Sequence, residues 1–274
     1  MIIRQHLRQA PKSGLEAIAS EDAAGPIPFR HEQHGSEVRL AVADGTSGSA
    51  VSGWWAQHLV RDLCVAPGRA FQEAQAFDRI ASHAALRWPS RKQALLRTVS
   101  ASDPKSWLAR HRIGQGPSAT VLALRLCADP RQPMAALAGM TTHGASSGTW
   151  QAVAVGDSCL FQVRDGSALA AFPTQVSRRN PAVVTAAPGK AGATKPAMTS
   201  NGSWIPGDVF YLMTDALARW CGRCLSGSQH PWSQLDNLCE QPASVFNSWV
   251  HAQREAHHLQ DDDITVLRAE CLSC

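Results

Sequence analysis

No run of about eighteen apolar residues occurs in this 274-residue sequence, which therefore offers no candidate membrane-spanning helix. The N-terminal MIIRQHLRQAPKSG also lacks the long apolar core of a signal peptide, and a soluble, cytoplasmic protein is the expectation. Without an export signal, the eight cysteines read as reduced thiols, many of them buried, rather than as a disulfide framework. An excess of either charge is lacking too. With 26 Lys and Arg against 22 Asp and Glu, the net charge of +4 is too mild to indicate nucleic-acid binding. The basic residues are dispersed except in 87–112 (RWPSRKQALLR, then WLARHR). That patch reads as the solvated face of a helix or as a dock for an acidic partner or phosphopeptide. Internal repeats are absent, and the length suits one large α/β or α+β domain or two small ones.

What the sequence does contain is four short apolar runs, each with an aspartate at one end. They are 38–44 (VRLAVAD), 153–157 (VAVGD), 209–215 (VFYLMTD) and 261–267 (DDDITVL). Strand-forming residues fill each run, so the acids sit at strand ends. In the first three the acid follows the strand and in the fourth it precedes it. An antiparallel last strand would bring all four to one edge. Carboxylates crowded there repel one another and rise in pKa unless a cation lies between them. The nearby basic residues are Arg219 and Arg39. Oxygen-only ligands select hard cations, which points to Mg2+ or Mn2+ rather than zinc. Because these residues span 44–262, one domain is favoured.

Residues 14–22 (GLEAIASED) and 36–44 read as strands joined by a polar turn at 31–35. The spacing of Val51, Trp54, Trp55, His58 and Leu59 predicts a helix over 49–63, with Ser47 or Ser49 as N-cap. Helical pattern continues over 68–87 and 89–99, and more weakly over 104–111. Strands are predicted at 118–126 and 150–163, with a third at 134–142. The stretch 173–203, rich in Pro, Gly, Ser, Thr and Ala, predicts a loop or flap. A helix over 234–256 then leads to the last strand. Two Cys-x-x-Cys pairs, Cys221 with Cys224 and Cys271 with Cys274, have zinc-like spacing. The first pair follows Asp215 at the acidic edge, whereas the second lies at the far end of the last strand, roughly 30 Å away if extended, which disfavours a shared site. Gly144-Ala-Ser146-Ser-Gly148 matches a serine-hydrolase nucleophile pattern, but a strand rather than the required helix follows it. His257 and His258 read as exposed polar residues, and the nine tryptophans as core or cleft wall.

Six segments also occur together in an informative order. SED at 20–22, DGTSG at 44–48, GPSAT at 116–120, VGDS at 155–158, FYLMTDA at 210–216 and DDDITV at 261–266 resemble, in order and spacing, the phosphatase-2C (PPM) family of metal-dependent serine/threonine protein phosphatases, bacterial type. The resemblance extends over about 14–268. It implies an α+β fold, a four-layer α-β-β-α sandwich of two antiparallel sheets flanked by helices, with metals in a cleft at one end. By the same resemblance Asp44 bridges two metal ions and the Gly45 carbonyl is a further ligand. Asp215 and Asp262 bind the first ion, and Glu21 and Asp22 serve the second ion or its waters. Asp157 looks like the residue that helps hold a third, weaker ion, Asp263 stands at the place of an asparagine, and Asp261 is a solvated neighbour.

Chemistry gives these residues independent reasons to be there. Two divalent ions about 3.5 to 4 Å apart lower the pKa of a shared water and clamp the attacking and leaving oxygens. Phosphoryl transfer demands mainly positioning and charge neutralisation. A glycine at 45 would let a backbone carbonyl approach an ion at a tight turn.

Some positions depart from the family pattern. No arginine occurs between 13 and 22, where relatives place a phosphate-binding one, and Lys12 is the nearest cation. Thr46 stands where other members carry histidine or methionine, Ala216 replaces a glycine and Cys159 an arginine. None of these removes an expected ligand. The expectation is one domain over 1–274 with a flap-like loop at about 173–203, hydrolysing phosphoserine and phosphothreonine in proteins with catalytic Asp44 and Asp22 and with Mg2+ or Mn2+. Arg178, Arg179 and Lys190 on the flap are candidates for substrate binding. Expected partners are phosphorylated proteins, including a serine/threonine kinase or its target, with no nucleic acid and no membrane, and the chain is expected to be a monomer in signal transduction. The competing readings are a catalytically weak pseudophosphatase that binds phosphoproteins and a hydrolase of a small phosphoester.

Overall fold

The computed structural model of the chain describes residues 1–14, 20–46, 51–100, 102, 105–129, 147–174 and 181–273. Strands β1 (Ile2–Ala10), β2 (Ala23–Gly25), β3 (Glu32–His34) and β4 (Glu37–Gly45) lead to helix α1 (Ser52–Cys64). A 3-10 turn (Gly68–Phe71) precedes α2 (Ala74–Ala85), α3 (Trp88–Thr98) and α4 (Ser106–Gln115), which deliver the chain to β5 (Ser118–Ala128). Next come β6 (Gly148–Val155), β7 (Cys159–Arg164), β8 (Ser167–Phe172), β9 (Val184–Thr185), β10 (Gly192–Ala193), β11 (Met198–Trp204) and β12 (Val209–Met213). Helices α5 (Asp215–Ser226), α6 (Trp232–Glu240) and α7 (Ala243–Glu255) precede the last strand, β13 (Ile264–Leu272).

Among the described residues the strands form two sheets in which every pairing is antiparallel. One runs β3-β1-β13-β12-β7-β8; the other centres on β2-β4-β5, with β6 and then β11 beyond β5 and the β9-β10 ribbon on the first residues of β5. Side chains alternate between faces with period two. Val38, Leu40 and Val42 of β4 and Leu122, Leu124 and Leu126 of β5 meet Phe210 and Leu212 of β12 and Leu267 and Ala269 of β13 between the sheets. The opposite faces of the same strands are apolar too. Ala41, Ala43 and Ala123 pack with Trp55, Leu59 and Leu63 of α1 and Phe77 of α2. Tyr211, Met213 and Val266 pack with Leu217 and Trp220 of α5, Leu235 of α6 and Phe246 and Val250 of α7. The layers are therefore helix, sheet, sheet, helix, an α+β sandwich. Burial on both faces explains why these strands read as unbroken apolar runs. The alanines on β4 and β5 let α1 lie close, and Leu59→Ala would cost about 2–5 kcal/mol.

Several local expectations are corrected. Of 14–22, the described residues form no strand; the strand here is β2, and β3 occupies the expected turn at 31–35. The N-terminal β1, not anticipated because IIRQHLRQA is only half apolar, pairs with β13 over its whole length and lies one strand from the sheet edge. Helix α1 starts later than expected: its N-cap is Val51, with φ 69°, not a serine. The strand expected over 150–163 is a hairpin, β6 and β7, turning at Gly156, whose φ of 117° suits glycine. Only part of 173–203 is loop, since β11 pairs with β6 along seven residues. Its alternating polar sequence MTSNGSW is that of an edge strand with one solvated face. Helix α5 was not anticipated, and the 234–256 helix is two, broken at Gln241 and Pro242. The strand expected at 134–142 lies outside the described residues, as do Ser47, Ser49 and Gly144 to Ser146. The basic patch lies on α3 and α4, with Arg91, Arg97, Arg110 and Arg112 exposed.

Candidate functional site

Strand directions carry the acids to one end of the sandwich. Asp44 sits near the end of β4 opposite Thr120, and Asp215 opens α5 directly after β12. Because β13 runs antiparallel to β12, Met213 pairs with Val266, which brings Asp262 and Asp263 beside Thr214 and Asp215. Thr214 fixes that junction: its amide donates to the Thr265 carbonyl at 3.0 Å and its Oγ1 accepts from the Thr265 amide at 2.9 Å.

The segment before β2 is clamped onto this edge. Asp263 Oδ1 accepts from the Lys12 amide at 2.7 Å and Oδ2 from the Glu21 amide at 2.6 Å. Glu21 accepts Ser52 Oγ at 2.5 Å with its side chain and the Gly45 amide at 3.2 Å with its carbonyl. Glycine is required at 45 because a Cβ there would lie 2.7 Å from both the Glu21 oxygen and Ser52 Cβ. Arg254 of α7 donates to the carbonyls of Pro11 at 2.9 Å and Asp262 at 2.5 Å, tying the same segments from outside. Thr46 is tied to β5 through both its amide and its hydroxyl, which donate to the Ser118 carbonyl.

Asp22 is buried. Its Oδ2 accepts from Thr214 Oγ1 at 3.0 Å, while Oδ1 has no hydrogen-bond partner among the described residues. Burial raises its pKa to about 7; Asp263 and Asp262 push the same way, and the nearby Thr265 and Thr214 hydroxyls oppose them. Burial, with Asp22, Asp262, Asp157 and Asp263, drives Asp44 well above the carboxylate range. Asp157 is raised by burial against the pull of Arg219.

Of the two basic residues singled out in the sequence, one joins the acids and the other does not. Arg219 contacts Asp215 Oδ2 through Nη2, which also lies 3.4 Å from Asp157 Oδ2. Arg39 belongs elsewhere, paired with Glu37 at 2.5 Å. Asp215 Oδ1 remains buried without a hydrogen-bond partner among the described residues.

The other candidates are placed as follows. Asp261 is exposed, and its Oδ1 accepts from the Ser13 amide at 2.9 Å. Lys190 is exposed between β9 and β10, a ribbon that reaches the first residues of β5 beside Gly45; Arg178 and Arg179 lie outside the described residues. His257 and His258 are exposed. All described cysteines are free; burial pushes the Cys159 thiol up to about 12 and Cys221 well above its usual value, so neither is a ready thiolate. Cys271 lies on β13 away from Cys221, and Cys274 is outside the described residues.

Among the described residues no three His, Cys, Asp or Glu side chains already converge on one point. The donor set nonetheless fits a hard divalent cation: it is all oxygen, two buried carboxylate oxygens lack hydrogen-bond partners among the described residues, and burial with neighbouring carboxylates raises the pKa of Asp22 and Asp44.

No protein-family model matches the sequence, and no curated protein matches it. Solved structures do. The Mycobacterium tuberculosis serine/threonine phosphatase PstP/Ppp superposes with a TM-score of 0.51 at 14% identity, covering 99% of this chain and 100% of that one. PppA, a regulatory component of T6SS in Pseudomonas aeruginosa, gives 0.52 at 20% identity over 98% and 97%. The catalytic domain of the serine/threonine phosphatase PstP in complex with 2 manganese ions gives 0.51 at 16% identity over 99% of each chain. The chain has the fold of the bacterial PPM-type serine/threonine phosphatases.

Proposed function

We propose that this chain is a single-domain, metal-dependent phosphatase acting on phosphoserine and phosphothreonine in proteins. One observation carries the reading: Asp22, Asp44, Asp215 and Asp262 gather at one end of a two-sheet sandwich with two buried carboxylate oxygens unpartnered. Asp44, Asp215, Asp262 and the Gly45 carbonyl would hold the ions, with Glu21 and Asp22 serving the second. When bound, a pair of Mg2+ or Mn2+ ions supplies a water acidic enough to attack at neutral pH and neutralises charge on the phosphoryl group. The protein supplies alignment. Asp263 fixes the segment bearing Glu21 and Asp22 by accepting the Glu21 amide, with the Lys12 amide on its other oxygen, Thr214 orients Asp22, and Ser52 orients Glu21. Arg178, Arg179 and Lys190 would meet the phosphoprotein by charge.

The two-manganese PstP complex supports the choice of metal, as fold-level likeness only. The pairing of Arg219 with Asp215 favours a second reading, a phosphoprotein-binding module with little turnover. Release of phosphate from a phosphothreonine peptide, with Mn2+ and with EDTA, separates them. Mn2+-dependent turnover is expected; binding of the peptide without turnover would establish the second reading.

A further inference from the structure

Arg219 changes what the acidic edge can bind. It lies one turn into α5, four residues after Asp215, where an i,i+4 partner reaches back along the helix. Its Nη2 touches Asp215 Oδ2 and lies 3.4 Å from Asp157 Oδ2, and its Nη1 donates to Gln260 Oε1. Those partners come from the start of α5, the β6-β7 turn and the segment before β13. A planar guanidinium can span two carboxylates in this way, and with its side chain 28% exposed its charge is only partly screened. Asp22 and Asp44, across the same edge, form no ion pair among the described residues, and Asp22 Oδ1 meets no hydrogen-bond partner among them.

We propose that Arg219 is a fixed counter-ion that competes with divalent metal for Asp215 and keeps Asp157 from serving as a ligand, thereby setting the metal affinity of the site. The inference rests on the metal-site reading above. To hold an ion through Oδ2, Asp215 must give up Arg219; to hold it through Oδ1, it must do so beside a resident positive charge. Either way the guanidinium opposes the ion. Asp157, paired with the same nitrogen, is neutralised without metal.

The test is calorimetric titration of Mn2+ into EDTA-stripped wild type, Arg219→Ala and Arg219→Lys, with circular dichroism to show that each is folded. Arg219→Ala is expected to bind Mn2+ about tenfold more tightly than wild type, and Arg219→Lys, which keeps the charge, to stay close to wild type. Thermal melts in EDTA provide a readout without metal. Arg219→Ala should melt about 2–4 °C lower, because Asp157 and Asp215 then face each other uncompensated. Equal affinities in all three proteins would overturn the competition alone. Absence of binding heat in every protein would overturn both the competition and the metal reading. An unchanged or higher melting temperature for Arg219→Ala would overturn the counter-ion role.

Discussion

Asp208 precedes strand β12 and Asp215 follows it, so one five-residue strand separates two buried carboxylates with opposite surroundings. Around Asp208 every oxygen is occupied. Arg164 donates Nε to Oδ1 at 2.6 Å and Nη2 to Oδ2 at 2.8 Å, and Gln162 and the Ile205 amide reach Oδ2 at 2.8 and 3.1 Å. Burial pushes Asp208 up, but these hydrogen bonds and the Arg164 charge outweigh it and hold the group below its usual value. At the other end Asp22 and Asp44 are pushed upward, and Asp22 and Asp215 each keep a buried oxygen without a hydrogen-bond partner among the described residues. A carboxylate satisfied by its own protein is a structural group. Carboxylates left unsatisfied and crowded together store a demand for a cation, which among the described residues Arg219 meets at the Asp157 and Asp215 flank.

Exchanging one acid at each end sharpens the contrast. Asp44→Asn should lower turnover below about a tenth of wild type, a loss above about 1.4 kcal/mol. It should leave the fold intact by circular dichroism, and metal-free stability should be equal or higher because repulsion is relieved. Asp208→Asn should do the reverse, costing about 2–3 kcal/mol in urea unfolding, a figure reduced from that for a fully buried pair because Arg164 is partly exposed, with turnover per folded molecule retained. The acid limb carries the sign. A carboxyl held below its unfolded value of 3.8 contributes stability that is present above that pH and lost as pH falls through the lower folded value. Wild type should therefore lose this increment below about pH 4, and Asp208→Asn should lack that part of the decline.

Changing Arg178, Arg179 and Lys190 together to Ala has a smaller expected effect. KM for a phosphoprotein should rise while kcat for a small aryl phosphate stays nearly constant, since exposed charges act on encounter and binding. Equal losses on both substrates would place the loop's influence at the acids themselves. The smallest effect is expected at the thiols. Iodoacetamide should leave most activity, whereas EDTA should remove it and Mn2+ restore it; rapid loss on alkylation, protected by a phosphate analogue, would return Cys159 or Cys221 to consideration.

The acidic edge was legible because β4, β12 and β13 are buried on both faces, so their apolar runs ended visibly at acids. Strands with one solvated face or only a few residues were not legible. Polar β11 read as flap, and β1, with Arg4, Gln5 and Arg8 in its body, gave no apolar run. The clamp by Asp263 was invisible for a different reason: its partners at Lys12 and Glu21 are more than two hundred residues away, and only tertiary structure joins them. Arg219 was nearer to hand. A helix after Asp215 would have placed it one turn away, but short apolar β12 and the ALARW that follows it gave no separate helix signal before the structure showed one.

Completion of the Asp22, Asp44, Asp215 and Asp262 edge by a divalent cation is measurable as thermal unfolding of wild type and Asp44→Asn in EDTA and in Mn2+ at about one hundred times its Kd. Ligation at that concentration stabilises by about 2.7 kcal/mol, and the wild type should melt roughly 5–10 °C higher with Mn2+ than without it, while Asp44→Asn shows little of that shift. A wild type whose melting temperature ignores Mn2+, or an Asp44→Asn variant that gains as much as wild type, would contradict it.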